Sequence, residues 1–311
     1  MRLALPVRFQ EQLRSLPHGV TVTWYSGAAE CPAAVAGAEV LWLDFGLQEE
    51  IVAALDAGPG LRWVFTPGAG MDRQPLAVYR ERGIILTNGA GLASVPIAEY
   101  TVMAILAAAK GLPALVRAQD RAEWLKKPPG RRELLGSKAL IVGYGNIGRA
   151  IAERLLGFGV EVTGVRRRPD GRPEVIGPGE WRTRLGEFDW VILGAPPTAE
   201  TAHLIGPADL AAMKDGAWLL NISRGALVDQ AALISALKAE RIGGAYLDVT
   251  DPEPLPADSE LWKLPNVIIT PHSSWASERF SDRSADLFVS NLVRFQEGRE
   301  LLNVVDLEAG Y

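Results

Sequence analysis

The sequence predicts an α/β protein built from two doubly wound parallel-sheet domains. Short β-rich runs alternate with helix-like segments, which is the pattern of βαβ units in a parallel sheet covered on both faces. The alternation occurs in two series, separated by a long apolar segment and a charged connection. The length of 311 residues also fits about two domains of roughly 150 residues each.

The first series occupies the amino-terminal part of the chain. Between its strands, Gln48–Ala57 is predicted as a helix, because Glu49 and Glu50 place negative charge in the first turn. Several of the predicted strands are closed by Gly or Pro. These strands are Leu3–Pro6, Thr21–Tyr25, Val40–Phe45, Leu61–Thr66 and Gly83–Thr87.

The second series follows a long connection. Ile97–Arg117 is rich in Ala, Leu and Met and predicts one long, largely buried helix, whereas the charged segment Asp120–Gly136 predicts a surface connection. A last helix, Ser284–Glu297, is expected to return to the first domain. The predicted strands of this series are Ala139–Val142, Val160–Val165, Trp190–Leu193, Trp218–Ile222, Gly244–Asp248 and Val267–Thr270.

Composition and charge narrow the function classes. Apolar residues make up 48% and charged residues 22% of the chain, which disfavours disorder, collagen and coiled coil. A net charge of −5 does not suit a nucleic-acid or anionic-membrane binder. Cys31 is the only cysteine, which excludes an internal disulfide and a thiolate metal site. Met1–Gln10 lacks a secretory apolar region and Tyr100–Ala109 is too short to span a bilayer, so we expect a soluble cytoplasmic protein without a bound metal.

A glycine loop opens the second series. The apolar strand Ala139–Val142 runs directly into G-Y-G-N-I-G, which begins at Gly143, and a helix is predicted to follow. In this context Gly143 permits the tight turn, Gly145 lets backbone approach a pyrophosphate, and Gly148 lets the helix pack on the strand. Backbone N–H groups at the helix start can then bind phosphate oxygens. The sequence therefore predicts a dinucleotide site.

The position expected to meet the adenosine ribose is basic. An NAD site carries an acidic residue about 20 residues after the glycine loop, for the ribose 2′-OH. Here Arg166, Arg167 and Arg168 follow the second strand, and the first carboxylate is that of Asp170. Guanidinium groups bind a 2′-phosphate that a carboxylate would repel. The sequence therefore favours NADP(H) over NAD(H), with a solvated basic loop as the alternative interpretation.

One of the three histidines is a candidate for catalysis. His18 lies in a predicted turn and His203 has no obvious chemistry around it. His272 follows the predicted strand Val267–Thr270, and ligands of open parallel sheets bind at the carboxyl ends of strands.

Two more strand ends carry charged side chains, Arg224 and Glu253. A carboxylate near His272 would favour the imidazolium, which could donate a proton to a carbonyl oxygen that receives hydride. An arginine beside it would hold an α-keto acid. The alternative interpretation is an ordinary ion pair between Arg224 and Glu253.

The order of these motifs resembles that of the D-2-hydroxyacid dehydrogenase family over nearly the whole chain. The combination is highly specific, whereas the glycine loop or the histidine alone would not be. In chain order the motifs are G-A-G-M-D from Gly68, the region from Asn88 to Glu99, G-Y-G-N-I-G, A-P-P-T-A-E-T-A-H-L-I from Ala195, N-I-S-R-G, D-V-T-D-P-E-P and T-P-H-S-S-W.

The resemblance implies roles for individual residues. Ala69 and Gly70 would offer backbone N–H groups to the substrate carboxylate. Trp275 would either shape the far wall of the substrate pocket or pack the hinge. Arg224, Glu253 and His272 would form the catalytic trio, with Arg224 and His272 also touching the substrate. The implied cofactor contacts are Gly143, Gly145, Asn146, Ile147, Gly148, Arg166, Arg167, Pro196, Thr201, Ile222, Ser223, Arg224, Asp248 and His272, with Asp248 near the nicotinamide amide.

The resemblance also implies a discontinuous organisation. A flavodoxin-like substrate domain would comprise residues 1–94 and 277–311, and a Rossmann cofactor domain residues 95–276. The family implies a small 2-keto or 2-hydroxy acid as the partner and a homodimer, with no nucleic acid or membrane. Arg166 stands where NAD-using members carry Asp, which again favours NADP(H).

The leading functional interpretation is reduction of a small 2-keto acid by NADPH to the D-2-hydroxy acid. Glu253 argues against formate-type members, which lack it. The short tail after Asn303 argues against phosphoglycerate-type members with regulatory domains. Glyoxylate, hydroxypyruvate and longer 2-keto acids all remain open as substrates. The alternative interpretation is a nucleotide-sensing, corepressor-like protein on the same scaffold with little turnover.

Overall fold

Two parallel sheets form the framework of the protein, which confirms the predicted fold class. The computed structural model describes residues 1–169 and 171–310. One sheet has five strands and the other has seven. The chain divides into two compact units, one made of Met1–Ala93 with Ser277–Tyr311 and the other of Ser94–Ala276.

Strands and helices alternate along the chain as the sequence predicts. The strands are β1 (Arg2–Pro6), β2 (Thr21–Tyr25), β3 (Val40–Trp42), β4 (Trp63–Thr66), β5 (Ile85–Asn88), β6 (Lys138–Val142), β7 (Glu161–Val165), β8 (Val175–Ile176), β9 (Trp190–Leu193), β10 (Trp218–Asn221), β11 (Gly244–Leu247) and β12 (Val267–Ile269). The helices are α1 (Gly27–Val35), α2 (Gln48–Ala57), α3 (Leu76–Arg82), α4 (Ser94–Lys110), α5 (Leu112–Asp120), α6 (Asn146–Leu156), α7 (Pro207–Ala212), α8 (Gln230–Lys238) and α9 (Phe280–Gln296).

The first unit is built on the five-stranded sheet, with strand order β2-β1-β3-β4-β5. The helix α9 packs on one face of this sheet. The Phe288 ring of α9 stacks on Trp63 of β4 with ring centroids 5.1 Å apart, and Leu292 joins the same apolar core. Burial of these large side chains ties the carboxy-terminal segment to the amino-terminal sheet.

The second unit contains the seven-stranded sheet, with strand order β12-β11-β10-β9-β6-β7-β8. All its pairings are parallel, and β9 is buried along its whole length. From β6 the chain moves outward to β7 and β8, then returns to β9 on the other side of β6. Ligands of such sheets bind at the point where the order reverses, outside the carboxyl ends of the strands.

The predicted single helix over Ile97–Arg117 is wrong, because the segment forms two helices. Gly111 separates α4 from α5 and has a φ of +64°, a left-handed conformation that favours glycine. A Cβ at this position would lie 2.8 Å from the backbone nitrogen of Gly130. Close backbone contact with the following connection therefore requires glycine where the two helices separate. Within the described residues no single helix could cross a membrane, and only α4 and α5 together, bent by 72°, have the length and composition.

Candidate active site

The glycine loop lies at the reversal point of the second sheet. It joins the end of β6 to the start of α6, and Gly143 within it has a φ of +105°. A Cβ on Gly143 would lie 2.3 Å from the carbonyl carbon of Gly194, which follows β9. Only glycine allows β6 and β9 to remain this close where their carboxyl ends separate.

The two later glycines of the loop face different surroundings. A Cβ on Gly148 would lie 2.5 Å from the oxygen of Gly143, so this glycine lets α6 pack against the loop. A Cβ on Gly145 would meet no heavy atom within 4 Å, so this glycine borders open space. The N–H of Arg149 is bonded to the oxygen of Gly145 at 3.0 Å, and the N–H groups before it lie in the first turn of α6. The loop therefore fits a pyrophosphate.

The strand β7 delivers its arginines beside this loop. The carbonyl oxygen of Val165 accepts the N–H groups of Gly143 and Tyr144 at 3.1 and 2.9 Å. Arg166 and Arg167 follow at once and are exposed. Arg167 forms an ion pair with Glu200 at 3.6 Å. A positively charged edge therefore borders the glycine loop; Asp170, the first carboxylate after it, lies outside the described residues.

The loop after β9 is held by hydroxyl groups. Thr201 Oγ1 donates to the Pro196 carbonyl oxygen at 2.7 Å and accepts the N–H of Thr198 at 2.7 Å. Ser223 Oγ donates to the carbonyl oxygen of Ala195, which joins this loop to the one after β10. Pro196, Thr201 and Ser223, which the resemblance assigns to the cofactor, therefore shape the edge of the crevice.

The loops after β10 and β11 pack directly on one another. Arg224 lies in the first of these loops, where its carbonyl oxygen accepts a hydrogen bond from Asn221 Nδ2 at 2.8 Å. A Cβ on Gly225 would lie 2.1 Å from the carbonyl oxygen of Thr250. Gly225 therefore lets the loop that carries Arg224 approach the loop that carries Glu253. Ile222, also assigned to the cofactor, is buried beside Asn221.

The loops after β11 and β12 meet through Glu253 and His272. Nδ1 of His272 lies 2.9 Å from Oε2 of Glu253, while the N–H of Thr250 donates to Oε1 at 3.2 Å. Side-chain exposure is 41% for His272 and 30% for Glu253. A carboxylate can only accept, so Nδ1 is the donor of this pair and Nε2 is left to exchange a proton with a ligand.

Asp248, which follows β11, and Trp275 both bond to the backbone of the histidine loop. Asp248 is 1% exposed, and its backbone oxygen accepts the N–H of His272 at 2.7 Å. The indole Nε1 of Trp275 donates to the His272 carbonyl oxygen at 3.0 Å, and the side chain is 46% exposed. Both residues therefore contact the backbone of the candidate acid.

The candidate substrate loop follows β4 in the first unit. The oxygen of Gly68 accepts the N–H of Gly89 at 3.2 Å, and the oxygen of Ala69 accepts a hydrogen bond from Asn88 Nδ2 at 3.4 Å. In a trans peptide the C=O and the next N–H point in opposite directions. The N–H groups of Ala69 and Gly70 therefore point away from the Asn88–Gly89 segment, and both residues are exposed. Such a pair can bind an anion.

Some contacts around the site are not foreseen from the sequence. Gln230 of α8 bonds twice to the backbone of Asp251. Its Nε2 donates to the Asp251 carbonyl oxygen at 2.8 Å, and its Oε1 accepts the Asp251 N–H at 3.3 Å. Nothing in the local sequence signals these contacts. The glycine directly after Arg224 could have signalled a close approach. His18 and His203 are exposed and lie outside the histidine loop.

Comparison with known proteins gives consistent matches. The profile described as "D-isomer specific 2-hydroxyacid dehydrogenase, NAD binding domain" matches residues 102–274. A glyoxylate reductase from Thermococcus litoralis is 36% identical over 81% of this chain and 79% of that protein.

Solved structures match as well. The TT0316 protein from Thermus thermophilus has a TM-score of 0.81 and 35% identity, over 98% of this chain and 100% of that chain. The NADPH-dependent glyoxylate/hydroxypyruvate reductase from Sinorhizobium meliloti, solved with NADP and malonate, has a TM-score of 0.81 and 28% identity, over 98% and 97% of the two chains. Both structural matches extend over both units.

Proposed function

The chain belongs to the D-isomer specific 2-hydroxyacid dehydrogenase family, and we propose that it uses NADPH to reduce a small 2-keto acid to the D-2-hydroxy acid. The match confirms the resemblance found in the motifs, and the protein is an NAD(P)-dependent 2-hydroxyacid dehydrogenase. The observation that carries the proposal is the hydrogen bond between His272 and Glu253, on a loop edge that also holds Arg224.

In the proposed reaction His272 donates the proton that the substrate carbonyl oxygen needs. NAD(P)H supplies the hydride when bound. Glu253 accepts from Nδ1 of His272, which orients the ring and leaves Nε2 to exchange the proton. Arg224 holds the substrate by its carboxylate or carbonyl oxygen, since a guanidinium offers two parallel donors. The oxidation direction requires the same imidazole to begin neutral.

Recognition of the substrate carboxylate is assigned to Ala69 and Gly70. Their outward N–H groups supply two donors without adding a side chain. We accordingly assign the substrate-binding role to the unit of residues 1–93 and 277–311 and the cofactor-binding role to residues 94–276. Trp275 is assigned to the substrate pocket, because its indole is hydrogen-bonded to His272.

The preference for NADPH rests on Arg166 and Arg167. They follow β7 beside the glycine loop, where a 2′-phosphate would gain charge-assisted hydrogen bonds. The similar Sinorhizobium meliloti reductase is named NADPH-dependent. Glyoxylate and hydroxypyruvate are the proposed substrates, because the similar enzymes carry these names.

We also propose a homodimer that forms through α5 and the segment after it. Leu112, Leu115 and Val116 are 46%, 40% and 47% exposed, and Trp124 is 93% exposed. A cavity of about 570 Å³ lies beside Trp124 and is also lined by Leu115 and Ala118. Exposed apolar side chains beside an open pocket suit contact with the same surface of a second copy, the arrangement of a two-fold interface. We expect Trp124→Asp to shift the protein from dimer to monomer in sedimentation velocity.

A substrate panel tests the proposed activity. We expect NADPH absorbance to fall with glyoxylate or hydroxypyruvate, and a lower kcat/KM when NADH replaces NADPH. A branched 2-keto acid serves as the third substrate of the panel. Tight cofactor binding without turnover on any of the three acids would contradict the proposal and favour a nucleotide-sensing role.

A further inference from the structure

The candidate substrate loop is held by the segment that follows β5. The N–H of Gly89 donates to the oxygen of Gly68 at 3.2 Å, and Asn88 Nδ2 donates to the oxygen of Ala69 at 3.4 Å. Each bonded carbonyl shares a rigid peptide unit with one outward N–H group, that of Ala69 in the first case and that of Gly70 in the second. The direction of both N–H groups therefore depends on the segment after β5.

This segment is a compact turn that lies directly on the substrate loop. A Cβ on Gly89 would lie 2.0 Å from the carbonyl oxygen of Pro67, so only glycine lets the two backbones come this close. Asn88 is 6% exposed, and its Oδ1 accepts the N–H of Ala90 at 3.0 Å. A movement of the turn would therefore also move the loop.

The carboxy-terminal tail runs beside β5 and reaches this turn. In the five-stranded sheet β5 is an edge strand, whose outer backbone groups need partners. Val304 of the tail pairs with Thr87 in antiparallel orientation. The N–H of Asn88 donates to the oxygen of Asn303 at 3.1 Å. The tail therefore continues the sheet up to the residue at which the turn begins.

The side chain of Asn303 bonds to both ends of the turn. Its Nδ2 donates to the oxygen of Asn88 at 3.2 Å and to the oxygen of Ala90 at 2.9 Å, so both hydrogens of the amide have acceptors. Asn303 has a φ of +54°, in the left-handed region that asparagine adopts more readily than most residues. With its backbone oxygen, Asn303 thus makes three hydrogen bonds to the turn.

The tail is itself fixed to the core of the same unit. Asn291 of α9 is 0% exposed. Its Oδ1 accepts the N–H of Leu302 at 2.7 Å, and its Nδ2 donates to the oxygen of Leu302 at 3.0 Å. Asn303 follows this residue directly, so its amide acts on the turn from an anchored position.

We propose that Asn303 is a positioning residue: from the tail it fixes the turn of residues 88–90, and through that turn it sets the direction of the N–H groups of Ala69 and Gly70. The inference rests on the proposed function, which assigns these N–H groups to the substrate carboxylate. Because Asn303 acts through the substrate loop, its loss should weaken substrate binding and leave proton transfer and cofactor binding intact.

Asn303→Asp tests this role with a change of one atom. A carboxylate oxygen in place of Nδ2 cannot donate, and it repels the oxygens of Asn88 and Ala90. We expect KM for glyoxylate to rise roughly tenfold or more while kcat changes less than about twofold. The NADPH dissociation constant, measured by fluorescence, should change less than about twofold. An unchanged KM, or a fall in kcat alone, would overturn the proposal.

Asn303→Gly tests the same role without introducing a charge. Glycine adopts the left-handed conformation freely, so this variant removes the amide and keeps the backbone. We expect KM for glyoxylate to rise roughly threefold to tenfold. Val304→Ala is the matched control, because it trims the neighbouring side chain, which is 49% exposed, and keeps the pairing with Thr87. Equal KM values in these two variants would overturn the proposal, even if Asn303→Asp does not fold.

A spectroscopic readout keeps this test independent of turnover. In protein labelled with ¹⁵N-glycine, Gly70→Ala identifies the backbone N–H signal of Gly70. Without any ligand, we expect this signal to shift in Asn303→Asp and to stay in place in Val304→Ala. An unmoved Gly70 signal in Asn303→Asp would defeat the positioning role.

Oxalate, an unreactive carboxylate, tests the proposed function separately. We expect its addition to the unmodified protein with NADPH to shift the Gly70 signal. If the signal does not respond to oxalate and no keto acid is reduced, the proposed function fails, whereas the effect of Asn303→Asp on the ligand-free Gly70 signal still decides whether Asn303 holds the loop.

Discussion

Nδ1 of His272 lies 2.9 Å from Oε2 of Glu253, and the second oxygen of that carboxylate accepts the N–H of Thr250. The two residues come from loops after neighbouring strands, β11 and β12, so the pair lies at the ligand-binding edge of the sheet. Glu253 is itself oriented by a backbone N–H group. Because Nδ1 of His272 bonds to Glu253, the other ring nitrogen, Nε2, is left for a ligand. An acid held in this way is suited to deliver a proton at a fixed position.

Replacing the imidazole tests the proton donor. We expect His272→Gln to lower kcat for keto acid reduction by roughly 10²–10⁴, the usual contribution of a positioned general acid, with NADPH binding retained. The measurement is kcat at saturating NADPH. His18→Gln is the control, because His18 is exposed in the other unit. Near-normal turnover in His272→Gln would remove this residue as the acid.

The carboxylate of Glu253 is tested by removing its charge while keeping its shape. Glu253→Gln removes the anion that accepts from Nδ1 of His272 and leaves a neutral, weaker acceptor there. We expect kcat for keto acid reduction to fall by roughly tenfold or more, with the NADPH dissociation constant unchanged. The measurement is kcat at saturating NADPH for both proteins. Equal kcat values would mean that Glu253 does not act on His272.

Charge reversal beside the glycine loop tests cofactor selection. Arg166→Asp replaces an attractive charge with a repulsive one, so we expect kcat/KM with NADPH to fall by about tenfold or more and the value with NADH to be kept or raised. Arg184→Asp makes the same charge change elsewhere in the unit, at an exposed ion pair with Glu187. It should leave the ratio of kcat/KM with NADPH to kcat/KM with NADH unaltered. Equal use of both cofactors by the unmodified protein would contradict the preference.

A side chain at Gly70 tests the substrate loop. Valine there would obstruct approach to the backbone N–H groups, so we expect Gly70→Val to raise KM for glyoxylate while leaving NADPH affinity intact. Gly68→Ala is the control, since its Cβ would come no closer than 3.9 Å to Thr66 Oγ1. If NADPH affinity suffers equally in Gly70→Val, the loop serves the fold rather than the substrate.

Acid stability tests the contacts of Asp189. Burial raises the pKa of this carboxyl, but hydrogen bonds from Lys214 and from the backbone of Lys138, with the charges of Lys214 and Arg132, lower the pKa overall. The folded state therefore binds this proton more weakly than the unfolded chain. This difference adds to the free energy of unfolding above the pKa of about 3.9 that the carboxyl has in the unfolded chain. The contribution is lost as pH falls through the lower pKa of Asp189 in the folded state.

Asp189→Asn should remove this pH dependence. We expect a lower free energy of unfolding at pH 7 and a smaller further loss on acidification than in the unmodified protein, measured by urea titration. Asp215→Asn removes an exposed partner of Arg241 and should change stability little, because exposed ion pairs contribute little. Parallel acid profiles for Asp189→Asn and the unmodified protein would contradict the prediction.

Much of the fold follows from local pattern. The strands Thr21–Tyr25 and Trp190–Leu193 and the helix Gln48–Ala57 have the predicted bounds, because their apolar spacing and flanking turn residues act over a few positions. The break at Gly111 does not follow from local pattern. Gly111 lies against Gly130, which is distant in sequence. The Ala- and Leu-rich residues around Gly111 predict a continuous helix, so the local sequence does not indicate the break.

The chain order of motifs was sufficient to identify the family and to place Arg224, Glu253 and His272 at strand ends, because a buried apolar run followed by a polar residue is visible in one dimension. Which of these side chains meet is a different matter. The contact between His272 and Glu253 depends on sheet order and on a left-handed φ at His272. The attachment of that loop to Asp248 depends on hydrogen bonds across two strands. Such contacts join residues far apart in the chain, so three-dimensional packing selects them and no local pattern encodes them.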